Sequence, residues 1–550
     1  MNLTQILVFA AMVALLYPKG PNGKPSRGLA CTWDRIRIRV VQGRGWVILV
    51  ASTLALYWLQ SSSPIRSLDF WLPTASLALT TLVWVVIYTP DRAAWRTAVP
   101  TIAVIIGVVA LIASTRYFDP LCCITATRPP DIFTVTVGIL IVAVISAGAA
   151  ILFRGRARRL NWIVLGLIVL FVVLKLDIAT QAFSAILRGL NGQDTAQAAV
   201  SDVRWLGFSY IAFRLIAALR DRVTARPAAP GKPVPTGLSL REFISYVIFF
   251  PALTAGPIDR ADRWIKDYRN FVQTHQPAPA TTPRPFGMDD VVAGAGRILL
   301  GVFKKFVIAD MLAIIALNSI NAAQVTAPGV HGSASFWGLG DGGLNQAIWT
   351  WVLVYAYAWR ILFDFSGYTD IAIGLGRMFG IKLPENFDRP YFKPNLTLFW
   401  NSWHMSLSQW FRAYYFNPIT RALRSAKETP FLPEQGFFRQ STFIILFGQV
   451  TTMLLIGLWH GITWNFIAWS VWHAVGLFAH NRWTDYQRRR NASDDLESTE
   501  QNELPLRRRL ATTLSVLATF HFVALGWIWF ALPSVSLSIQ VFGRLVGIGG

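Results

Sequence analysis

Ile132–Phe153 is a stretch without one charged side chain, and runs like it recur along the chain. A helix rises 1.5 Å per residue, so about 20 apolar residues cross a hydrocarbon layer roughly 30 Å thick. Comparable runs are Trp46–Ile65, Phe70–Pro90, Thr97–Thr115, Ser441–Leu458 and Ala511–Ala531. Shorter or interrupted ones lie at Leu3–Tyr17, Trp162–Leu174, Trp205–Leu219, Phe243–Ala255, Leu299–Leu317, Ala347–Phe363 and Ile462–Ala479. The pattern predicts an all-α polytopic membrane protein with about eleven transmembrane helices plus re-entrant and interfacial helices. Composition agrees. Of 550 residues 53% are hydrophobic and 15% charged, against about 25% charged in a soluble chain. Disordered, collagenous and disulfide-scaffold classes are excluded by the same figures and by the three cysteines.

Lys and Arg number 51 against 29 Asp and Glu, a net charge of +22. In a soluble protein that excess points to nucleic acid. Here the cations sit in short blocks between apolar runs, as the positive-inside rule expects, so no nucleic-acid partner is inferred. Lys19–Arg44, Arg154–Arg159, Arg220–Lys232, Arg412–Arg439 and Arg482–Arg509 read as cytoplasmic. The N-terminus then lies outside, and the turn at Leu458–Ile462 faces the outer side. Ala225–Leu238 and Gln276–Phe286 are Pro-rich surface loops. From about Tyr355 to Phe416 the apolar pattern is interrupted by Arg360, Asp364, Asp370, Arg377, Lys382, Glu385, Asp388, Arg389 and Lys393. No lipid-facing span tolerates that many charges, so the stretch is expected within protein, beside a wet cavity or at the interface. Asp364–Asp370 reads either as a metal or proton site or, in preference, as a buried polar turn paired with Arg360 or Arg377.

Two histidine motifs stand out. In Gly457-Leu458-Trp459-His460-Gly461 the imidazole sits at a glycine-flanked break between apolar helices, where an ionisable group is costly unless it has a purpose. In WHMSLSQWFR from Trp403, the residues Trp403, Leu407 and Trp410 or Phe411 recur at helical spacing, so His404 belongs either to an interfacial anchor or to a site. Gly338–Gly343 satisfies a dinucleotide fingerprint without the strand or βαβ unit that gives it meaning. No HExxH occurs and the seven histidines are not spaced for zinc, so no metal site is expected.

The Trp459-His460-Gly461 motif, the His404 motif, FDFSGYTDIAIGLGRMFG from Phe363, PENFDRPY from Pro384 and FFPALTAGPIDR from Phe249 together resemble the membrane-bound O-acyltransferase (MBOAT) family. The likeness is to its bacterial polysaccharide-modifying branch and runs from about Leu206 to Leu532. It implies an organisation of N-terminal transmembrane helices over 1–204, a catalytic core over 205–532 and a C-terminal tail over 533–550. Where that branch usually shows Arg-Asp-Tyr, this chain has Arg412-Ala413-Tyr414. Gly256–Arg260 and Leu206–Arg214 look more like D-alanyl-transferring members, and PENFDRPY more like alginate-modifying ones.

The resemblance implies an O-acyltransferase in the cell membrane. It would move an acyl group, acetyl first, from a cytoplasmic thioester to a hydroxyl of an extracytoplasmic polysaccharide. D-alanyl transfer from a carrier protein toward teichoic acid is the alternative. The donor is acyl-CoA or an acyl-carrier thioester, with no permanently bound cofactor. Expected partners are membrane lipid, a glycan acceptor, an acyl carrier protein inside and an SGNH-type protein outside. His460 is implied as general base and His404 as the second family histidine, orienting substrate or stabilising the oxyanion. Asn401, Trp403, Trp459 and Asn465 are the expected substrate-binding neighbours. An imidazole suits proton abstraction because its unperturbed pKa is about 6.5. A proton-coupled transporter using Arg360, Asp364, Asp370 and His460 would show inverted repeats, which the sequence lacks; a scaffold recruiting a secreted transferase would consume no donor.

Overall fold

The charge-free runs become helices because a backbone in lipid must satisfy its own hydrogen bonds. The computed structural model describes residues 4–6, 8, 43–88, 92–118, 124–153, 160–224, 237–273, 287–326, 343–425, 440–494 and 505–548. Most of the basic loop at 19–44, the two Pro-rich stretches, the glycine hexad up to 342 and all three cysteines lie outside those residues. The first helices are α1 (Arg44–Trp58), α2 (Leu68–Tyr88), α3 (Arg92–Ser114), α4 (Ile132–Phe153), α5 (Leu160–Val173), α6 (Asp177–Leu190), α7 (Phe208–Thr224), α8 (Leu240–Val247) and α9 (Ala261–Gln273). They are followed by α10 (Met288–Val302), a π-helical stretch Phe303–Ala309, α11 (Asp310–Ile315), α12 (Ser319–Thr326) and α13 (Gly343–Met378). The chain continues with α14 (Leu396–Trp400), α15 (Met405–Phe411), a second π-helical stretch Arg412–Phe416 and α16 (Asn417–Ser425). Last come α17 (Gln440–His460), α18 (Trp464–Asp494), α19 (Pro505–Ala531) and α20 (Val535–Leu545).

Among the described residues, five helices are long and apolar enough to cross a membrane: Leu68–Tyr88, Arg92–Tyr117, Ile132–Phe153, Gln440–His460 and Arg509–Ala531. The pair α5 and α6, bent by 93°, adds a sixth if taken as one broken span. Sequence pattern implies about eleven spans. Several expected runs fall short: α1 is only 15 residues long, α13 carries Arg360 and Asp364 in its apolar part, α18 is uncharged over 464–481 but diluted by Trp, His, Asn and Ser, and Leu3–Tyr17 lies mostly outside the described residues. The chain is a polytopic helical membrane protein.

The chain divides into two units, Met1–Leu300 with Thr369–Pro384, and Gly301–Tyr368 with Glu385–Gly550. In the first, α2 packs against α4, α7 and α8. Arg214 of α7 is 2% exposed and donates to the carbonyls of Val247 (2.7 Å) and Ala252 (2.9 Å), tying down the turn after α8. Ser239 and Glu242 form a reciprocal cap at the start of α8. Arg269 of α9 then reaches the Glu242 carboxylate at 2.6 Å. Desolvation raises the Glu242 pKa, but the Arg269 hydrogen bond and the Ser239 amide outweigh it and hold the carboxyl below its ordinary value.

Asp364–Asp370 corrects the expected turn. These residues are helical within α13, and neither pairs as the sequence suggests. In the first unit Asp370 takes Arg297 at 2.6 Å and Arg377 takes Asp290 at 3.2 Å. In the second unit Asp364 takes Lys305 at 2.5 Å. Acids along an apolar run look like a break, yet each is neutralised from another helix, so the backbone continues.

In the second unit α17 and α18 form an antiparallel hairpin, with α19 against α18 and α20 packed on α19. Gly457 permits this: a Cβ there would overlap the Ser470 hydroxyl and press on the Phe466 carbonyl.

Candidate functional site

The loop from Pro384 to His404 precedes the first candidate histidine and sets its position. Phe387 and Trp403 form an antiparallel bridge, and Asp388 N–H donates to the Ser402 carbonyl at 3.0 Å. Lys393, 2.8 Å from Asp388, holds that exposed carboxyl below its ordinary pKa. His404 emerges from the bridge with φ of 42°, the left-handed region. For a residue with a Cβ this costs about 1–3 kcal/mol and persists only where the surroundings enforce it. The ring is 3% exposed and packs edge-on to Phe365, centroids 4.7 Å apart. Its Nε2 has no hydrogen-bond partner among the described residues. The interfacial-anchor reading, in which His404 faces headgroups, does not describe so buried a ring.

His460 is the last residue of α17, where three residues turn the chain into α18. Its ring is half-buried in aromatic surroundings. Centroids lie 4.4 Å from Trp459, 4.7 Å from Phe530, 5.8 Å from Phe466 and 6.1 Å from Trp469. The Trp459 ring also lies 5.9 Å from His404. One indole therefore touches both imidazoles, so residues far apart in sequence share one cluster. The sequence pairs Trp459 with His460 by adjacency; its contact with His404 comes only from folding.

The other expected neighbours are distributed differently. Trp403, 5% exposed, stacks on Phe399 (5.7 Å) and Tyr391 (5.8 Å) and contacts Trp527 (5.0 Å), making it a packing wall beneath His404. Asn401 is exposed and accepts a 2.7 Å hydrogen bond from Arg412. That bond is the partner Arg412 finds beside Ala413, itself exposed. Asn465 points elsewhere: its amide donates to the carbonyls of Trp529 (3.2 Å) and Leu532 (2.8 Å) and to the Ser538 hydroxyl (3.1 Å). It ties the start of α18 to the end of α19 and to α20. Asn465 also lines an apolar groove of about 1070 Å³, together with Trp464, Val471, Trp472, Phe522 and Trp529 among others.

A third histidine escaped the sequence reading. His473 of α18 is 0% exposed, enclosed by Trp469 (4.9 Å), Trp400 (5.2 Å), Phe399, Phe522 and Trp527. Both its ring nitrogens, and the indole nitrogens of Trp400 and Trp469, lack hydrogen-bond partners among the described residues. Room for the ring comes from Gly526, whose Cβ would stand 2.9 Å from Nε2. The signal in the sequence is Trp469 followed four residues later by His473, one face of a helix. No group of three or more His, Cys, Asp or Glu able to hold a metal occurs among the described residues.

The model of the membrane-bound O-acyltransferase family matches residues 159–432, a stretch that contains Asn401, Trp403 and His404. A teichoic acid D-alanyltransferase of Streptococcus thermophilus is 28% identical over 342 residues, 62% of this chain and 71% of the relative. A peptidoglycan O-acetyltransferase of Helicobacter pylori is 27% identical over 335 residues, covering 60% of this chain and 52% of that one. A probable alginate O-acetylase of Pseudomonas putida is 29% identical over 315 residues, 57% and 51% of the two chains.

Proposed function

Because the chain belongs to the membrane-bound O-acyltransferase family and is an acyltransferase, we propose that it transfers an acyl group, acetyl first, from a cytoplasmic thioester to a hydroxyl of an extracytoplasmic polysaccharide. The observation that carries this reading is the Trp459 indole in contact with both His404 and His460. A sugar hydroxyl is a weak nucleophile at neutral pH, and a base placed against it accelerates attack by about 10²–10⁴. His460, half-buried at a helix end, takes the hydroxyl proton as the oxygen attacks the thioester carbonyl carbon. The C=O electron pair moves onto oxygen to give a tetrahedral oxyanion. Its collapse breaks the C–S bond, and the imidazolium returns its proton to the departing thiolate. His404, with one ring nitrogen unpaired inside the protein, is suited to donate to the oxyanion or to orient the acceptor, a contribution of about 3 kcal/mol for one such donor.

The donor in this proposal is acyl-CoA or an acyl-carrier protein drawn to the cytoplasmic basic segments, and the membrane is the cell's inner or plasma membrane. An SGNH-type protein outside would extend the transfer to the polymer. D-alanyl transfer toward teichoic acid is the second reading. It is favoured by the larger fraction of the D-alanyltransferase that aligns, 71% of its length against 52% and 51% for the two O-acetylating relatives.

The test is His460→Ala at equal membrane abundance, with acylation of surface glycan read by mass spectrometry. A loss of at least about 100-fold is expected. Undiminished transfer overturns the mechanism, and the mass increment, acetyl or D-alanyl, decides between the two readings.

A further inference from the structure

Helix α15 starts at a residue that does not cap it. An N-cap side chain normally accepts a hydrogen bond from the amide two or three positions on. His404, at φ 42°, makes no such bond. The free amides of the first turn are met instead by Asn386, twenty residues before Ser406. The Asn386 carbonyl accepts from Met405 N–H at 3.0 Å, and its carboxamide Oδ1 accepts from Ser406 N–H at 3.1 Å. Asn386 is 0% exposed, and its Nδ2 has no hydrogen-bond partner among the described residues. Only its two oxygens are used, both on the two amides that immediately follow His404.

We propose that Asn386 is the positioning residue for His404, holding the imidazole in place by capping α15 from outside its own chain segment. The left-handed backbone at His404 is strained and relaxes if its surroundings let it. The neighbouring bridge, Phe387 with Trp403, fixes the residue before His404; Asn386 fixes the two after it. With both sides pinned, the ring stays edge-on to Phe365 and against Trp459. Without the Oδ1 acceptor, Ser406 N–H loses its 3.1 Å bond inside the protein. Turning the His404 backbone toward the helical region relieves it, and that rotation carries the ring off both neighbours. This inference rests on the reading of His404 as part of the reacting site.

The experiment compares Asn386→Leu, which keeps the bulk and removes the acceptor, with Asn386→Asp, which keeps an oxygen in place. Asn386→Leu should lower kcat by about 10–100-fold, the scale of a 1 Å misplacement at a reacting centre. KM for the thioester should move by less than about threefold, since a group acting in the transition state need not bind the ground state. Asn386→Asp should recover at least about a third of the lost log rate through the retained acceptor. In a His404→Ala background, Asn386→Leu should add less than about twofold, because a residue acting through His404 has nothing left to position. Independent losses in the double variant, or an aspartate no better than leucine, overturn the proposal. Should Asn386→Leu not accumulate in the membrane, the Asn386→Asp and His404→Ala cycle carries the same comparison. Hydrogen exchange is read on the same proteins. Faster exchange at the Met405 and Ser406 amides in Asn386→Leu, with α17 unchanged, is expected even if the protein transfers no acyl group, and unchanged exchange overturns the proposal. Failure of the acyl-transfer reading is thereby told apart from failure of this one.

Discussion

The two units differ in which buried polar atoms they leave without a partner. In the first, Arg214 donates to backbone carbonyls, Asp202 accepts from Ser184 and Arg188, and Asp69 accepts twice from Thr127, while Trp264 Nε1 and Thr369 Oγ1 have no hydrogen-bond partner among the described residues. In the second, the atoms without a partner among the described residues include Nε2 of His404 and both ring nitrogens of His473, with one nitrogen each of Asn386, Trp400 and Trp469. A buried polar atom without a partner costs about 1–3 kcal/mol, so such atoms are rare unless they have a role. The difference teaches where each half spends its polarity: one to fix backbone turns, the other to keep imidazole nitrogens available in dry surroundings.

Substitutions should break that contrast in measurable steps. Arg214→Met strips the carbonyls of Val247 and Ala252 of their donors and should destabilise the protein by about 3 kcal/mol or more. The check is thermal unfolding in detergent; a melting temperature within error of wild type would show that these bonds do not brace the first unit. A smaller effect is expected at Glu242, and it depends on pH. The folded carboxyl titrates below the ordinary value of a glutamate, held there against desolvation by Arg269 and the Ser239 amide. Its contribution is therefore full above that pH and lost as pH falls through the lower folded value. Glu242→Gln should flatten the acid limb of the melting-temperature profile and leave the alkaline limb alone. An unchanged acid limb removes the Arg269 pair from the account.

His473→Leu sharpens the comparison from the other side. It exchanges two unpaired nitrogens for apolar atoms of similar bulk, so stability should stay within about 1 kcal/mol of wild type. A drop of several kcal/mol, read by the same melting experiment, would mean that the ring is satisfied by something it holds. Least is expected of Ala413→Asp. It restores the acid of the branch pattern beside Arg412 at an exposed position, where an ion pair is worth about 0–1 kcal/mol. Turnover should change by less than about twofold if Asn401 already orients Arg412, as the 2.7 Å bond indicates. A large gain would show that the missing carboxylate limits this protein.

Much of this architecture can be read from residue order, for identifiable reasons. Ile132–Phe153 is a helix over the full extent of its charge-free run because lipid allows nothing else. The break at His460 and Gly461 falls where the glycine-flanked motif places it. Asp364–Asp370 misleads because the sequence shows the acids but not Lys305 and Arg297, which neutralise them from other helices. Asn465 lines the apolar groove, but its amide nitrogen is bonded to the carbonyls of Trp529 and Leu532 and to a hydroxyl of α20, which its nearness to His460 in sequence does not reveal. Asn386 is invisible as a cap, since local rules search the residue before a helix and its cap comes from a separate strand-like segment. The histidines could be nominated by motif; their shared indole could not.

His460 closes a helix of 21 residues. At 1.5 Å per residue that rod is about 30 Å long, close to the thickness of the oily slab it crosses. Lipid tail length thereby becomes a variable of the chemistry. In a thicker leaflet pair the helix end is drawn toward oil, and in a thinner one it is pushed toward water, at fractions of a kcal/mol per Å. Turnover in vesicles graded by acyl length would then trace how deep an imidazole must sit to work.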